Sequence, residues 1–166
     1  MAELWDIYDE NKQPTGRTMV RNDWNMQPGD FHLTVLAIIK RPDGKYLITK
    51  RAKTKAWAAG HFEVPGGGVK AGETSFEAVC REVKEETGLD VSEAEGGVAL
   101  TYKRINPDEG DNYFVDVYRF EMNFNEKDVN LQTEETDGFK IATLKEIEEI
   151  AEKGEFLHYL SIKEAF

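Results

Sequence analysis

A chain of 166 residues with 40% hydrophobic and 11% aromatic side chains can bury one core and is too apolar for a disordered tail, so a single domain over 1–166 is expected. Acidic residues outnumber basic ones 32 to 21 and leave a formal charge of −11. That balance excludes a nucleic-acid polymer, which needs a basic footprint, but not a nucleotide whose phosphates meet a cation.

In chain order, the opening Met-Ala-Glu-Leu-Trp-Asp has neither the basic nor the apolar part of a secretion signal. One cysteine allows no internal disulfide, and no stretch approaches the roughly 18 apolar residues of a membrane span, so a cytoplasmic protein with no membrane contact is expected. Residues 3–8 alternate weakly as a strand, and 9–16 are rich in turn formers. Residues 17–30 are polar and receive no regular structure. Together, 1–30 form an N-terminal extension to a core over 31–152. His32 to Lys40 is almost continuously apolar, as in a strand covered on both faces. Arg41-Pro42-Asp43-Gly44-Lys45 is a turn, and Tyr46 to Arg51 the return strand of a hairpin. Residues 52–60 form a loop holding Trp57, and Phe62 to Val64 is a short strand leading into a glycine-rich loop.

A helix follows that loop. Thr74-x-x-Glu77 is a capping box that starts it, and Gly88 sits where a left-handed residue would end it. Gly97 to Ile105 and Asp111 to Met122 read as strands joined by residues 106–110. An acidic loop occupies 123–137, and Phe139 to Thr143 is the last strand. Leu144, Ile147, Ile150 and Ala151 recur at helical spacing over 144–153, and a C-terminal helix is expected within 153–166. Neighbouring strands with helices before and after them suggest an α/β fold, a mixed sheet between helices.

The chemistry concentrates in residues 66–89. Glu82 and Glu86 lie one helical turn apart on one face, with Glu85 beside them. Like charges so placed cost a few tenths of a kcal/mol per pair, which a divalent cation over them would offset. The plain alternative is a solvated acidic face. The stretch resembles the Nudix box, G-x5-E-x7-R-E-U-x-E-E-x-G-U with U aliphatic. Every specified position is met, by Gly67, Glu73, Arg81, Glu82, Val83, Glu85, Glu86, Gly88 and Leu89.

The resemblance implies a Nudix-type α/β/α sandwich and a hydrolase that cleaves a diphosphate bond in a nucleoside diphosphate linked to another group X. It implies Mg2+ or Mn2+ held by Glu82, Glu85 and Glu86, with the backbone carbonyl of Gly66. Arg81 would orient these glutamates and pair with Glu73; both are structural parts of the site, as are Gly67 and Gly88. Gly66, Gly67, Gly68 and Gly72 allow positive φ and close approach of backbone to ligand. Arg51 falls where many Nudix proteins place a phosphate-contacting arginine, and reads otherwise as a surface charge. The general base is a box glutamate or one from the loop before the last strand, Glu134 or Glu135, of which Glu135 is the catalytic candidate.

Trp57, Tyr113 and Phe114 either stack on a base or pack in the interior, with Trp57 the substrate-binding candidate. Cys80 reads as a packed small residue, and His32, His61 and His158 as structural. Asp9-Glu10, Pro14-Thr15-Gly16 and His32 also resemble the start of isopentenyl diphosphate isomerase, which shares the Nudix fold. That enzyme's essential cysteine ahead of the box is missing from residues 58–65, and Cys80 is misplaced for it. A third reading is a non-catalytic nucleotide-binding sensor, though such domains usually lose box glutamates. The expected partner is a small nucleotide substrate, with a homodimer contact plausible through the extension or the C-terminal helix.

Overall fold

The computed structural model describes residues 2–166. The chain forms β1 (Leu4–Tyr8), β2 (Pro14–Val20), β3 (His32–Lys40), β4 (Tyr46–Arg51), β5 (Phe62–Glu63), β6 (Gly66–Gly68), α1 (Ser75–Thr87), β7 (Glu95–Arg104), β8 (Tyr113–Glu121), β9 (Thr136–Ala142), α2 (Leu144–Glu152) and α3 (Tyr159–Ile162). No helix among the described residues is long and apolar enough to cross a membrane.

The apolar run of β3 makes it the central strand. Val35, Ala37 and Ile39 pack with Val79 and Val83 of α1 on one face. Leu36 and Ile38 pack with Ile147 of α2 and Ile162 of α3 on the other. Alternate side chains thus feed two cores, giving helix, sheet and helix layers. The sheet is mixed: β3 runs parallel to β8 and antiparallel to β6, and β7 forms the edge beyond β8.

The expected β3–β4 hairpin is paired only at Lys40 and Tyr46. Beyond that point the strands part, and residues 62–68 enter the wedge. There β5 pairs with β4 at Thr49 and Lys50, while β6 pairs with β3 at Thr34–Leu36. The glycine segment therefore reaches α1 from inside the sheet.

Other expectations need correction. Residues 17–20 are not irregular: they complete β2, which pairs with β1 in a separate two-stranded sheet. The last strand begins at Thr136, not Phe139, because pairing with β4 continues through Gly138 to Arg51. The segment 153–166 is not one helix. Left-handed residues at Gly154 (φ 73°) and His158 (φ 62°) interrupt it, leaving α3 and a final 3-10 turn at Lys163–Ala165.

Candidate functional site

The helix α1 is fixed at both ends by its own sequence. Thr74 Oγ1 accepts from Glu77 N–H, Glu77 Oε1 accepts from Thr74 N–H, and Gly88 closes the helix at φ 77° with its N–H donating to Lys84 O. Ala78, Val79 and Val83 face the sheet, which turns Glu82 and Glu86 toward β6.

Glycine is needed in β6 for room. A Cβ on Gly66 would lie 2.2 Å from Val35 O, and one on Gly67 2.4 Å from Glu82 Oε1. The first meets fixed backbone, while the second meets the free end of the Glu82 side chain and would push that carboxylate from its place. The expectation of positive φ holds only for Gly72 (φ 81°); Gly66, Gly67 and Gly68 are ordinary extended backbone paired to β3.

Arg81 ties the carboxylates together. Its Nε and Nη2 donate to the two oxygens of Glu73 at 2.7 and 2.9 Å. Its Nη1 reaches Glu82 at 2.8 Å and Glu85 at 3.4 Å, and Nη2 also donates to Gly68 O. Burial raises the Glu73 carboxyl, but Arg81 and the Lys70 N–H more than offset this and hold it below the usual range.

Glu63, Glu82, Glu85, Glu86 and Glu135 converge on one cleft of about 370 Å³, with Arg51 on its wall. Their environments differ. Glu85 is largely exposed, its side chain 47% accessible. Burial raises Glu82 despite the Arg81 bonds. Glu86 is raised well above the carboxylate range, first by burial and then by Glu82 and Glu63. Among the described residues its hydrogen-bond partner is Gly66 N–H at 3.2 Å, and no cation pairs with it. No three His, Cys, Asp or Glu side chains among the described residues form a preassembled metal cluster; Arg81 and Gly66 hold the glutamates instead.

Arg51 faces the cleft while donating to Glu63 Oε2 at 3.1 Å and to Trp57 O. Glu135 lines the cleft and pairs with Lys55, whereas Glu134 does not line it. Trp57 lies outside this cleft, on an adjoining one that Tyr113 also lines. Phe114 is buried against Phe31, so it packs. Cys80 packs against the first core and does not line the cleft. His61 closes a local turn on Ala58 O.

Sequence reasoning passed over Glu63, Glu3, Arg21 and Lys70 on the cleft wall. It also read His158 as structural, yet His158 lines both clefts. The positive φ of His158 carries no signature in the sequence, and Glu63 is marked only by its position three residues before Gly66.

The chain matches the NUDIX domain family over residues 30–160. An uncharacterized Nudix hydrolase of Listeria monocytogenes is 31% identical over 165 residues, 99% of this chain and 94% of that one. The isopentenyl-diphosphate Delta-isomerase of Kocuria rhizophila is 31% identical over 86 residues, covering 51% of this chain and 47% of its own. A crystal structure from Deinococcus radiodurans superposes with TM-score 0.73 at 20% identity over 92% of this chain and 91% of that one. With the box glutamates gathered on the wedge at the centre of a helix–sheet–helix sandwich, this chain belongs to the Nudix hydrolase family.

Proposed function

We propose that this protein hydrolyses the diphosphate bond of a nucleoside diphosphate linked to a further group X, with Mg2+ or Mn2+ as cofactor. The observation that carries the reading is Glu86: a half-buried carboxylate on the cleft, beside Glu82 and Glu63, with no cation against it among the described residues. Hard oxygen donors on a rigid helix suit a small divalent cation, and the charge they leave uncompensated suits it too. Glu82 and Glu86 would hold the ion, with the Gly66 backbone, and Glu85 from the exposed rim. When bound, the cation neutralises diphosphate oxygens and lowers the pKa of an attacking water.

The chain's own groups divide the remaining work. Arg81, anchored on Glu73, keeps the box carboxylates in place. Arg51 and Lys70 present positive charge on the same cleft wall for the phosphates. Glu135, on the lining of the same cleft and paired with Lys55, takes the proton from water. Cys80 is half-buried against the first core and does not line the cleft, so it is not placed to act as the double-bond-protonating cysteine that an isomerase of this fold would need.

The test pairs two substitutions. Glu86→Gln removes a ligand and its charge while leaving the helix caps intact, so turnover of nucleoside diphosphate derivatives and calorimetric Mn2+ binding are both lost. Wild-type turnover in that variant would overturn the assignment. Glu135→Gln lowers kcat about 10²- to 10⁴-fold, as loss of a general base does, with Mn2+ binding unchanged. Wild-type kcat there would move the base to Glu82 or its neighbours.

A further inference from the structure

The carboxylate cleft does not end at the helix. Thr34, Leu36 and His158 line both it and a second cleft of about 740 Å³, so the two form one continuous trough. The second cleft is walled by aromatics. Trp24 and Trp57 line it while remaining 50% and 59% exposed, and Tyr102 and Tyr113 lie deeper, beside Leu36 and Val115. Two half-exposed tryptophans from separate segments, meeting in one cleft, form a surface for a flat aromatic group.

That surface is held in place. A Cβ on Gly110 would lie 2.1 Å from Trp24 O, so the Trp24 arm rests directly on the 106–112 turn. Asn112 fastens the same arm, its Nδ2 donating to Asp30 O and its N–H to Met26 Sδ. Trp57 O accepts from Arg51 Nε, and the Arg51 guanidinium lies 5.4 Å from the Trp57 ring.

Two carboxylates line this cleft from the 106–112 turn. Glu109 and Asp111 are acceptors. One Asp111 oxygen takes the His32 Nε2 contact at 2.8 Å, and its second oxygen has no partner among the described residues. Glu109 forms no ion pair among the described residues and is exposed. Arg104 also lines the cleft, with its guanidinium over the Tyr102 ring and Nη2 donating to Ser161 Oγ. The two carboxylates offer acceptors to the hydrogen-bond donors of a ligand lying on the aromatic wall.

We propose that the aromatic cleft takes the nucleobase of the substrate and selects bases carrying an exocyclic amino group. Cytosine is then favoured over uracil and guanine over hypoxanthine, with Glu109 and Asp111 accepting the amino protons. This rests on the hydrolase reading above, because the same substrate spans both clefts. Nucleotides differing only in the amino group isolate the claim, since a site built to bind a donor rejects the analogue lacking it.

Two measurements separate this inference from the hydrolase reading. In the first, kcat/KM is compared for CTP against UTP and GTP against ITP with Mg2+. The amino member is favoured about 10- to 100-fold, the range of a hydrogen bond to a charged group, and the Glu109→Gln/Asp111→Asn double variant brings the ratio close to one. In the second, CMP, UMP, GMP and IMP are titrated without metal, with tryptophan fluorescence as the readout. CMP and GMP quench at lower concentration than UMP and IMP, and CMP binding followed by calorimetry, a readout independent of the Trp5 that stacks on His32 of the cleft, weakens at least about 10-fold in Trp24→Ala/Trp57→Ala. Equal response to both members of each pair overturns the selection by the amino group. Unchanged calorimetric affinity in the double tryptophan variant overturns the placement of the base. Failure of every nucleotide to be hydrolysed overturns the hydrolase reading instead, and the metal-free titration still decides base selection.

Discussion

His158 holds a left-handed backbone, φ 62°, which costs a residue with a Cβ about 1–2 kcal/mol. The strain places an imidazole where the two clefts meet, 6.2 Å from the Trp57 ring. Burial, then Arg104 and Arg51, hold that imidazole below the ordinary histidine value, so it is neutral where a free histidine is half charged. The consequence for stability has a definite sign. Between the lowered folded value and about 6.5, the unfolded chain binds the proton and the folded chain does not, so stability rises with pH through this window and is lost as pH falls through it. His158→Asn removes the titration and keeps a residue that tolerates the left-handed region. Thermal unfolding across about pH 5 to 8 is therefore expected to show wild type losing stability relative to the variant as pH falls, while other titrating groups cancel in the difference. A difference independent of pH would show that His158 takes up its proton as freely in the folded protein as in the unfolded chain.

The wedge between β3 and β4 explains which features were legible in the sequence. The β3 strand, α1 and both its caps are local: an apolar run, a Thr-x-x-Glu box and a terminal glycine declare themselves within a few residues. Helical spacing alone puts Glu82 and Glu86 on one face. The splaying of β3 from β4 is not local, since it depends on residues 62–68 entering the gap between them. For the same reason Glu63 escaped notice: on a two-residue strand it has no periodicity, and only pairing with Thr49 sets it opposite the helix. The start of β9 was misplaced because Thr136 and Gly138 are extended by their β4 partners rather than by their own propensity. Polar β2, a strand with one covered neighbour and few buried side chains, lacks the alternation that would have betrayed it. Of the two reasons offered for the glycines of β6, positive φ does not apply to them; at Gly66 crowding by Val35 O excludes a side chain, and at Gly67 a Cβ would displace the Glu82 carboxylate.

The β1–β2 hairpin belongs to no strand of the main sheet, yet it is bound to the site by several contacts. Trp5 stacks on His32 at 4.1 Å and lies under Gly68, Leu4 O accepts from Ala71 N–H, and Asp6 accepts from Gly72 N–H. Glu3 and Arg21 flank this hairpin and pair with each other on the wall of the carboxylate cleft. Its turn is pinned by Lys12, whose Nζ lies 2.9 Å from Asp116 Oδ1. Asp116 is 1% exposed in β8 and also accepts from Ser75 Oγ at the start of α1 and Thr101 Oγ1 in β7. One carboxylate thus joins the hairpin, the sheet and the helix that carries the box. Removing a single partner from a buried ion pair costs about 3–5 kcal/mol because the remaining charge stays behind. Lys12 keeps 36% of its side chain accessible, so water offsets part of that, and Lys12→Met is expected to cost about 2 kcal/mol. Urea unfolding should show this as a lower midpoint at unchanged slope. Adding Asp116→Asn to Lys12→Met should recover part of the loss, since no buried charge then lacks its partner; strict additivity of the two changes would mean that Lys12 and Asp116 do not act on one another. Hydrogen exchange of β1 and β2 amides should quicken in Lys12→Met before that of β3, since the hairpin loses its anchor while the two cores remain packed. Uniform protection across β1 and β3 in that variant would place the hairpin in the same cooperative unit as the sheet, and Lys12 would then stabilise the fold as a whole rather than the closure of the hairpin over the glycine segment.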